Sequence, residues 1–253
     1  QTKTPAQDSQ QHAEIKAELG RLYRSQKDYQ QALDYFKGAS SLYAHPEYDL
    51  EQGWTLFLLE EYQAAQIAYA QAQHKLETLD DPELKRKLAY YQKLAQNLPA
   101  AEEQLQRLLL ESNDAEDFLR LGQIYLLQKK LALAKTAFLK AYARYTSQGV
   151  PPVSLAYGLK ESGERIASVR LFQQYWQQTP KAEYALARAV LLSPSEPQQA
   201  LIWLDQLKRT QDLNPTEKLE LAYLWLYLGQ AEKSARLYQD VIYQLGNIKE
   251  PHI

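Results

Sequence analysis

The sequence predicts an all-α fold, a solenoid of repeated helix–turn–helix units, and three observations predict it. One pattern of small and large side chains recurs at a period near 34 residues. Only 9 glycines and 11 prolines interrupt the 253 residues, and residues that favour helices dominate the composition. Prolines mark most of the boundaries between the recurring units, where a helix must end. Together these features predict helix pairs that stack along the chain and share one core.

The clearest unit spans residues 115–146. Small side chains at its eighth and twentieth positions allow two helices to approach closely, and large side chains fill the space around them. Counted from Ala115, positions 4, 7, 8, 11, 20, 24 and 27 are Phe118, Leu121, Gly122, Tyr125, Ala134, Phe138 and Ala141.

The same pattern gives seven units that begin near residues 13, 46, 82, 115, 151, 181 and 215. We therefore expect a flexible segment at 1–12, a solenoid at 13–246 and a tail at 247–253. In the fifth unit the inner turn at Gly163 comes two residues early, and in the sixth Arg188 replaces the small residue. The other six units carry Gly20, Gly53, Ala89, Gly122, Gly158 and Ala222 at the eighth position.

The second helices predict the core most directly, because each carries a small residue at position 20, a large one at position 24 and an apolar or aromatic one at position 27. Proline or glycine marks most of the turns before them. Taken in chain order, these residues are Ala32, Phe36 and Ala39; Ala65, Tyr69 and Ala72; Ala101, Leu105 and Leu108; Ala134, Phe138 and Ala141; Ser168, Phe172 and Tyr175; Ala200, Leu204 and Leu207; Ser234, Tyr238 and Val241.

Over nearly its whole length the chain resembles the tetratricopeptide repeat family, and the first and fourth units match best. The resemblance implies a right-handed superhelix of about seven repeats and fourteen helices. It also implies that first helices line the concave face and second helices the convex face. Proteins of this family serve as scaffolds for protein–protein interaction, so the resemblance implies a protein or peptide partner on the concave face.

Composition and motifs argue against several other functions. A net charge of −2 and a pI near 6.2 do not suit a nucleic-acid binder. The chain has no cysteine, and its four histidines are far apart in sequence. Phosphate-binding glycine motifs and nucleophile elbows are absent from the sequence. We therefore predict that the chain is not an enzyme and needs no metal or cofactor.

The chain contains no methionine and begins with a polar Gln/Thr/Ser-rich stretch. Such a start is what remains after removal of a signal peptide, although a piece of a longer chain would look the same. The sequence contains no run of 18 apolar residues, so it predicts no transmembrane segment. We therefore expect a periplasmic or secreted location, with the cytoplasm as the alternative.

The resemblance also implies which side chains face a ligand, because family members bind along the exposed positions of their first helices. The Lys and Asn of the family's chaperone-tail clamp are replaced by Ala17 and Arg21, which disfavours that ligand. Aromatic groups that bury large areas beside directional arginines suit a protein partner. The predicted binding residues are Arg21, Arg24, Trp54, Phe57, Arg86, Tyr90, Arg120, Gln123, Tyr223 and Tyr227, with Lys93 beside them.

These predictions combine into a non-enzymatic scaffold in a bacterial envelope assembly or secretion system. The chain is similar in style to periplasmic repeat regions of exopolysaccharide-secretion and phage-adsorption outer-membrane proteins. An alternative is a glycan-binding solenoid that stacks polysaccharide on Trp54, Tyr90, Tyr223 and Tyr227. A third is a regulatory helper attached to an enzyme domain elsewhere in a longer chain.

Overall fold

The computed structural model describes residues 4–246, and within that range it consists of fourteen α-helices joined by short turns without any strand. The predicted tail at 247–253 and the first three residues lie outside the described range. The helices are α1 (Pro5–Ser25), α2 (Tyr29–Leu42), α3 (Pro46–Leu58), α4 (Tyr62–Leu76), α5 (Pro82–Leu94), α6 (Leu98–Glu111), α7 (Ala115–Leu127), α8 (Leu131–Gln148), α9 (Val153–Glu161), α10 (Arg165–Gln178), α11 (Ala182–Leu192), α12 (Pro197–Thr210), α13 (Pro215–Tyr227) and α14 (Ala231–Gly246).

The chain forms two compact units, Gln1–Lys130 and Leu131–Ile253. In the first unit, each helix from α1 to α7 packs on the next, and α3 also contacts α5. In the second unit, each helix from α8 to α14 packs on the next, and α11 also contacts α13. The first helices α3 and α5 in the first unit, and α11 and α13 in the second, are therefore neighbours, so their exposed faces can form a continuous surface.

The core lies where the repeat pattern predicts it. Along the second helices, positions 20, 24 and 27 are buried in every pair except at Tyr238, which is half-buried. Phe36, Phe138 and Phe172 are fully buried, with 0% of their surface exposed. Within each unit, these side chains fill the space between neighbouring helices, as the core of a solenoid requires.

The glycines on the first helices mark points of close helix approach. A Cβ atom at Gly20 would lie 2.8 Å from the Phe36 ring, and one at Gly53 would lie 2.5 Å from the Tyr69 ring. Both distances are far inside van der Waals contact. The small residue at the eighth position therefore has the packing role that the sequence predicts.

One turn geometry recurs at the end of six first helices. Each has a residue in the left-handed region, at φ 60–81°. The next amide then donates to a carbonyl five residues back, as Asp28 N does to Tyr23 O at 3.0 Å. This is the Schellman ending, which normally selects glycine. The left-handed residues are Lys27, Glu60, Gln96, Lys129, Gly163 and Gly229.

The structure corrects the register of the fifth repeat. Ala156, not Gly158, lies seven residues before the left-handed Gly163, as Gly20 lies before Lys27. Ser168 Oγ donates to Ala156 O at 2.9 Å, which places these two residues at the helix contact. Gly158 instead faces α8, since a Cβ there would lie 2.5 Å from the Phe138 ring. The repeat thus begins near residue 149 rather than 151, and its turn has the same length as the others.

The N-terminal segment also differs from the prediction, because residues 5–12 are helical rather than irregular. Thr4 and Gln7 form a capping box, in which Gln7 N donates to Thr4 Oγ1 and Thr4 N donates to Gln7 Oε1. Pro5 occupies the first turn, where its missing N–H has no cost. Burial begins only at Ala13, so capping rather than packing starts this helix and apolar periodicity could not reveal it.

Arg188 occupies the position that other repeats reserve for a small residue, and it is 7% exposed. Its guanidinium carbon lies 4.0 Å from the centre of the Trp203 ring, and Nη2 donates to Gln173 Oε1 at 3.2 Å. Nε and Nη1 have no hydrogen-bond partner among the described residues. Burial lowers the pKa of Arg188, which a Coulombic contribution from Glu196 only partly offsets. A flat guanidinium stacked on indole thus replaces direct helix contact in this repeat.

Candidate partner-binding grooves

Two open grooves lie on the first-helix faces, one in each unit. The first, called here the α5–α7 groove, has a volume of about 590 Å³ and is lined mainly by α5 and α7, together with Glu47 of α3. The second, the α11–α13 groove, has a volume of about 660 Å³ and is lined mainly by α11 and α13, together with Lys160 of α9. Both volumes lie in the range of ligand sites.

The α5–α7 groove brings together four of the predicted binding residues: Arg86 and Tyr90 on α5, and Arg120 and Gln123 on α7. Spacings of four and three residues place each pair on one helix face. Tyr90 is 50% exposed, although the adjacent Tyr91 is buried. Tyr90 therefore offers an aromatic surface that the core does not use.

Arg86 is held by the protein itself. Its Nε and Nη2 atoms donate to the two carboxylate oxygens of Asp117, both at 2.8 Å, and Nη1 donates to Glu83 at 2.7 Å. Asp117 is fully buried at the start of α7. The hydrogen bond to Asp117 raises the pKa of Arg86, against the opposing effect of burial. This bidentate pair joins α5 to α7 through two charge-assisted hydrogen bonds.

Lys93 and Arg120 lie on opposite walls of the same groove. Arg120 pairs with Glu116 at 3.2 Å on its own helix. Lys93 has no carboxylate within ion-pair distance among the described residues, and its Nζ lies 5.4 Å from the centre of the Tyr90 ring. Burial, and then the positive charge of Arg120, lower the pKa of Lys93. The sequence placed Lys93 on this face but gave no sign that it lacks a partner.

Arg21 and Arg24, two further predicted binding residues, lie outside the groove and converge on α3. Arg21 Nη2 lies 2.9 Å from Glu47, and Arg24 Nη1 lies 2.5 Å from Glu51. Lys87 of α5 reaches the same carboxylates, at 3.0 Å from Glu47 and 2.5 Å from Glu51. Burial alone would raise the pKa of Glu51. The positive charges of Lys87 and Arg24 outweigh burial, so the pKa lies below its ordinary value. This network joins α1, α3 and α5 across three repeats.

Trp54 and Phe57 are half-buried and pack against the core of the first unit. The Trp54 ring lies nearly parallel to the rings of Phe57 and Tyr91, with centroids 5.3 Å and 5.4 Å away. These contacts use most of the indole for packing within the protein. The structure therefore places this predicted pair in a structural aromatic stack beside the groove.

The α11–α13 groove holds the remaining two predicted residues. Tyr223 and Tyr227 lie one turn apart on α13 and are 62% and 61% exposed. Leu219 and Val190 extend the apolar surface, at 40% and 42% exposure. Large apolar side chains grouped in a concave surface are a recognised mark of an interaction site.

Within residues 4–246, no group of three or more histidine and carboxylate side chains could hold a metal ion. No helix in that range is both long and apolar enough to cross a membrane.

At the level of sequence, neither a protein-family model nor a curated protein matches the chain. The structure is similar to a tetratricopeptide repeat protein from Parabacteroides merdae, with a TM-score of 0.55, 17% identity and 95% of each chain covered. It is also similar to the C-terminal part of a TPR repeat-containing protein from Cytophaga hutchinsonii, with a TM-score of 0.68 and 13% identity over 92% of this chain and 96% of the other.

A third similar structure is PilW, described as a widely conserved type IV pilus biogenesis factor. The TM-score is 0.54 at 17% identity, over 78% of this chain and 93% of PilW. These likenesses rest on the arrangement of helices rather than on sequence. The fold predicted from the repeat pattern is confirmed: it is the tetratricopeptide-repeat fold.

Proposed function

Because the chain has a tetratricopeptide-repeat fold, we propose that it is a non-enzymatic scaffold that binds segments of a partner protein in its first-helix grooves. We further propose that it acts in the assembly of a bacterial envelope structure, in the periplasm or outside the cell. The observation that carries the proposal is the exposure of Tyr90, Tyr223 and Tyr227 inside the two grooves.

The exposed tyrosines support binding because the fold does not need them there. Tyr69 and Tyr91, on nearby helices of the first unit, are 3% and 8% exposed and fill the core. Tyrosine loses few rotatable bonds on binding and combines an apolar ring with a hydroxyl, so it is frequent at binding hot spots. Rigid helices hold these rings in place before a partner arrives, which lowers the entropic cost of association.

The envelope part of the proposal has separate support. PilW, which shares this fold, is described as a factor in type IV pilus biogenesis. Extraction of cells that produce the full-length protein, followed by separation of periplasm, membranes and cytoplasm, tests this part. Recovery in the cytoplasm alone would contradict it.

The binding part is tested by cross-linking and capture from an envelope fraction, with variants compared against wild type. We expect Tyr90→Ala, or Tyr223→Ala with Tyr227→Ala, to lose a specific captured protein. Leu110→Ala is the matched control, because Leu110 is a large side chain on α6 that is 87% exposed. Equal capture of that protein by folded forms of all the variants would refute groove binding.

A glycan ligand is the second candidate, and the spacing of Tyr223 and Tyr227 favours it. Two exposed rings one helical turn apart could stack against successive sugars. Trp54 is less suited to that role, because it stacks on Phe57 and Tyr91. Calorimetric titration of wild type and of Tyr223→Ala with acidic and amino-sugar oligosaccharides distinguishes a glycan ligand from a protein ligand. A heat of binding that is lost in Tyr223→Ala would favour the glycan.

A further inference from the structure

The charges that line the α5–α7 groove are unevenly paired. Glu47, Glu83 and Glu116 each have a cationic partner within the protein. Among the lining cations, Arg86, Lys87 and Arg120 each have a carboxylate partner as well. Lys93 has none among the described residues. The groove therefore has one uncompensated positive charge, at a known place on α5.

The surroundings of Lys93 make this charge unfavourable in the unbound protein. The side chain is half-buried, and burial together with Arg120 lowers its pKa. The Tyr90 ring offers a cation–π contact at 5.4 Å, which compensates only in part for lost hydration. An anion placed beside Lys93 would relieve both effects at once, and a cation would add to them.

We infer that the α5–α7 groove binds an acidic side chain of the partner segment, with its carboxylate between Lys93 and Arg120. Tyr90 would then cover an apolar neighbour of that acidic residue. The inference rests on the proposed scaffold function and adds to it the chemistry of the bound segment. The inference rests on charge complementarity, since every other charged side chain lining the groove already has a partner of opposite charge.

The test begins with selection of displayed 12-residue peptides on the full chain. Peptides that need the groove are identified by loss of binding to Tyr90→Ala. We expect them to share an aspartate or glutamate at a fixed position next to an apolar residue. Selected peptides are then synthesised with acetylated and amidated ends, so that any carboxylate effect comes from a side chain and not from the terminus.

Affinities measured by fluorescence anisotropy complete a double-mutant cycle. Lys93→Gln is expected to weaken binding by about tenfold or more, as loss of a charge-assisted hydrogen bond does. Replacing the peptide's acid by its amide should weaken binding to wild type similarly and to Lys93→Gln hardly at all. Lys93→Arg should keep most of the affinity, which separates charge from misfolding. Lys37→Gln, at an exposed lysine on the second helix α2, is the matched control and should bind as wild type.

The outcomes separate this inference from the function on which it rests. Peptides that need Tyr90 but carry no acid, and that bind Lys93→Gln as they bind wild type, would overturn the acidic-segment inference and leave the scaffold proposal in place. Failure to select any peptide that depends on Tyr90 would overturn binding in the α5–α7 groove and the inference together. Coupling of at least fivefold between Lys93 and the peptide's acid would support both.

Discussion

Replacing Gly53 by alanine should destabilise the protein, although alanine favours helices more than glycine does. Alanine in a helix interior gains about 1 kcal/mol over glycine. Against this, the new Cβ would lie 2.5 Å and 2.6 Å from two carbons of the Tyr69 ring. Ordinary carbon contacts are about 3.5–4.0 Å, so the ring would have to retreat by roughly 1 Å.

The Tyr69 ring has little room to retreat. It is 3% exposed and lies in a core that includes Leu56 and Tyr91. Overpacking of a well-filled core typically costs about 1–3 kcal/mol, and a clash with a large buried ring belongs at or above the upper end. The clash should therefore exceed the gain in helix propensity, for a net loss of about 1–2 kcal/mol.

Gly38→Ala is the matched control for Gly53→Ala, because Gly38 also lies inside a helix. There the new Cβ would meet only the end of the Lys16 side chain, at 3.0 Å from Nζ, and that flexible chain can move into solvent. We expect Gly38→Ala to gain about 0.5–1 kcal/mol. Urea unfolding and thermal melting, followed by circular dichroism, compare the variants, and about 2–4 °C corresponds to 1 kcal/mol at this size. A Gly53→Ala protein that is as stable as wild type would refute the packing argument.

Three further predictions concern charges and turns. Arg188→Met should stabilise the folded protein by about 1–2 kcal/mol, because an apolar side chain of similar length takes the place of a buried cation whose N–H groups are partly unsatisfied. A lower melting temperature would show that the stacking of Arg188 on Trp203 contributes more to stability than this burial costs. Glu51→Gln should cost about 3–5 kcal/mol at pH 7, because it leaves Lys87 and its neighbours without a buried partner. Since the folded-state pKa of Glu51 lies below its ordinary 4.5, that stabilisation is present above pH 4.5 and lost as pH falls through the lowered pKa, so urea midpoints of the two proteins should converge in acid. Gln96→Gly should stabilise by about 1 kcal/mol, because φ is 60° there, and an unchanged urea midpoint would count against strain at that turn.

The fold could be read from the sequence because packing leaves a size pattern with a fixed period. Gly20 and Gly53 are small for the same reason, so one repeat identified the others. Two features left no such pattern. The Schellman turns were hidden because lysine, glutamate and glutamine occupy left-handed positions that usually signal glycine. The register of the fifth repeat differs from the prediction because Gly158 matches the eighth position by size, whereas Ala156 makes the contact to α10.

The candidate site was harder to predict, because sequence position gives the face of a helix but not its electrostatic partners. Of the arginines predicted to face a partner, Arg86 is held by Asp117, 31 residues away. Arg21 is held by Glu47, 26 residues away. Such separations are close to one repeat, so an acid on an adjacent first helix neutralises the cation. No local motif reveals this arrangement before the stacking of repeats is known.

The same relation explains why Lys93 stays unpaired. Arg86 finds its acid 31 residues later, and Lys87 finds Glu51 36 residues earlier. The residues at those separations from Lys93 are Ile124 and Phe57, both apolar. The separations at which Arg86 and Lys87 meet carboxylates therefore lead from Lys93 to apolar residues. A cationic side chain on the first-helix face of this fold can bind a partner's carboxylate only where the adjacent repeats provide no acidic side chain to pair with it. In the α5–α7 groove, Lys93 is the lining cation that meets this condition.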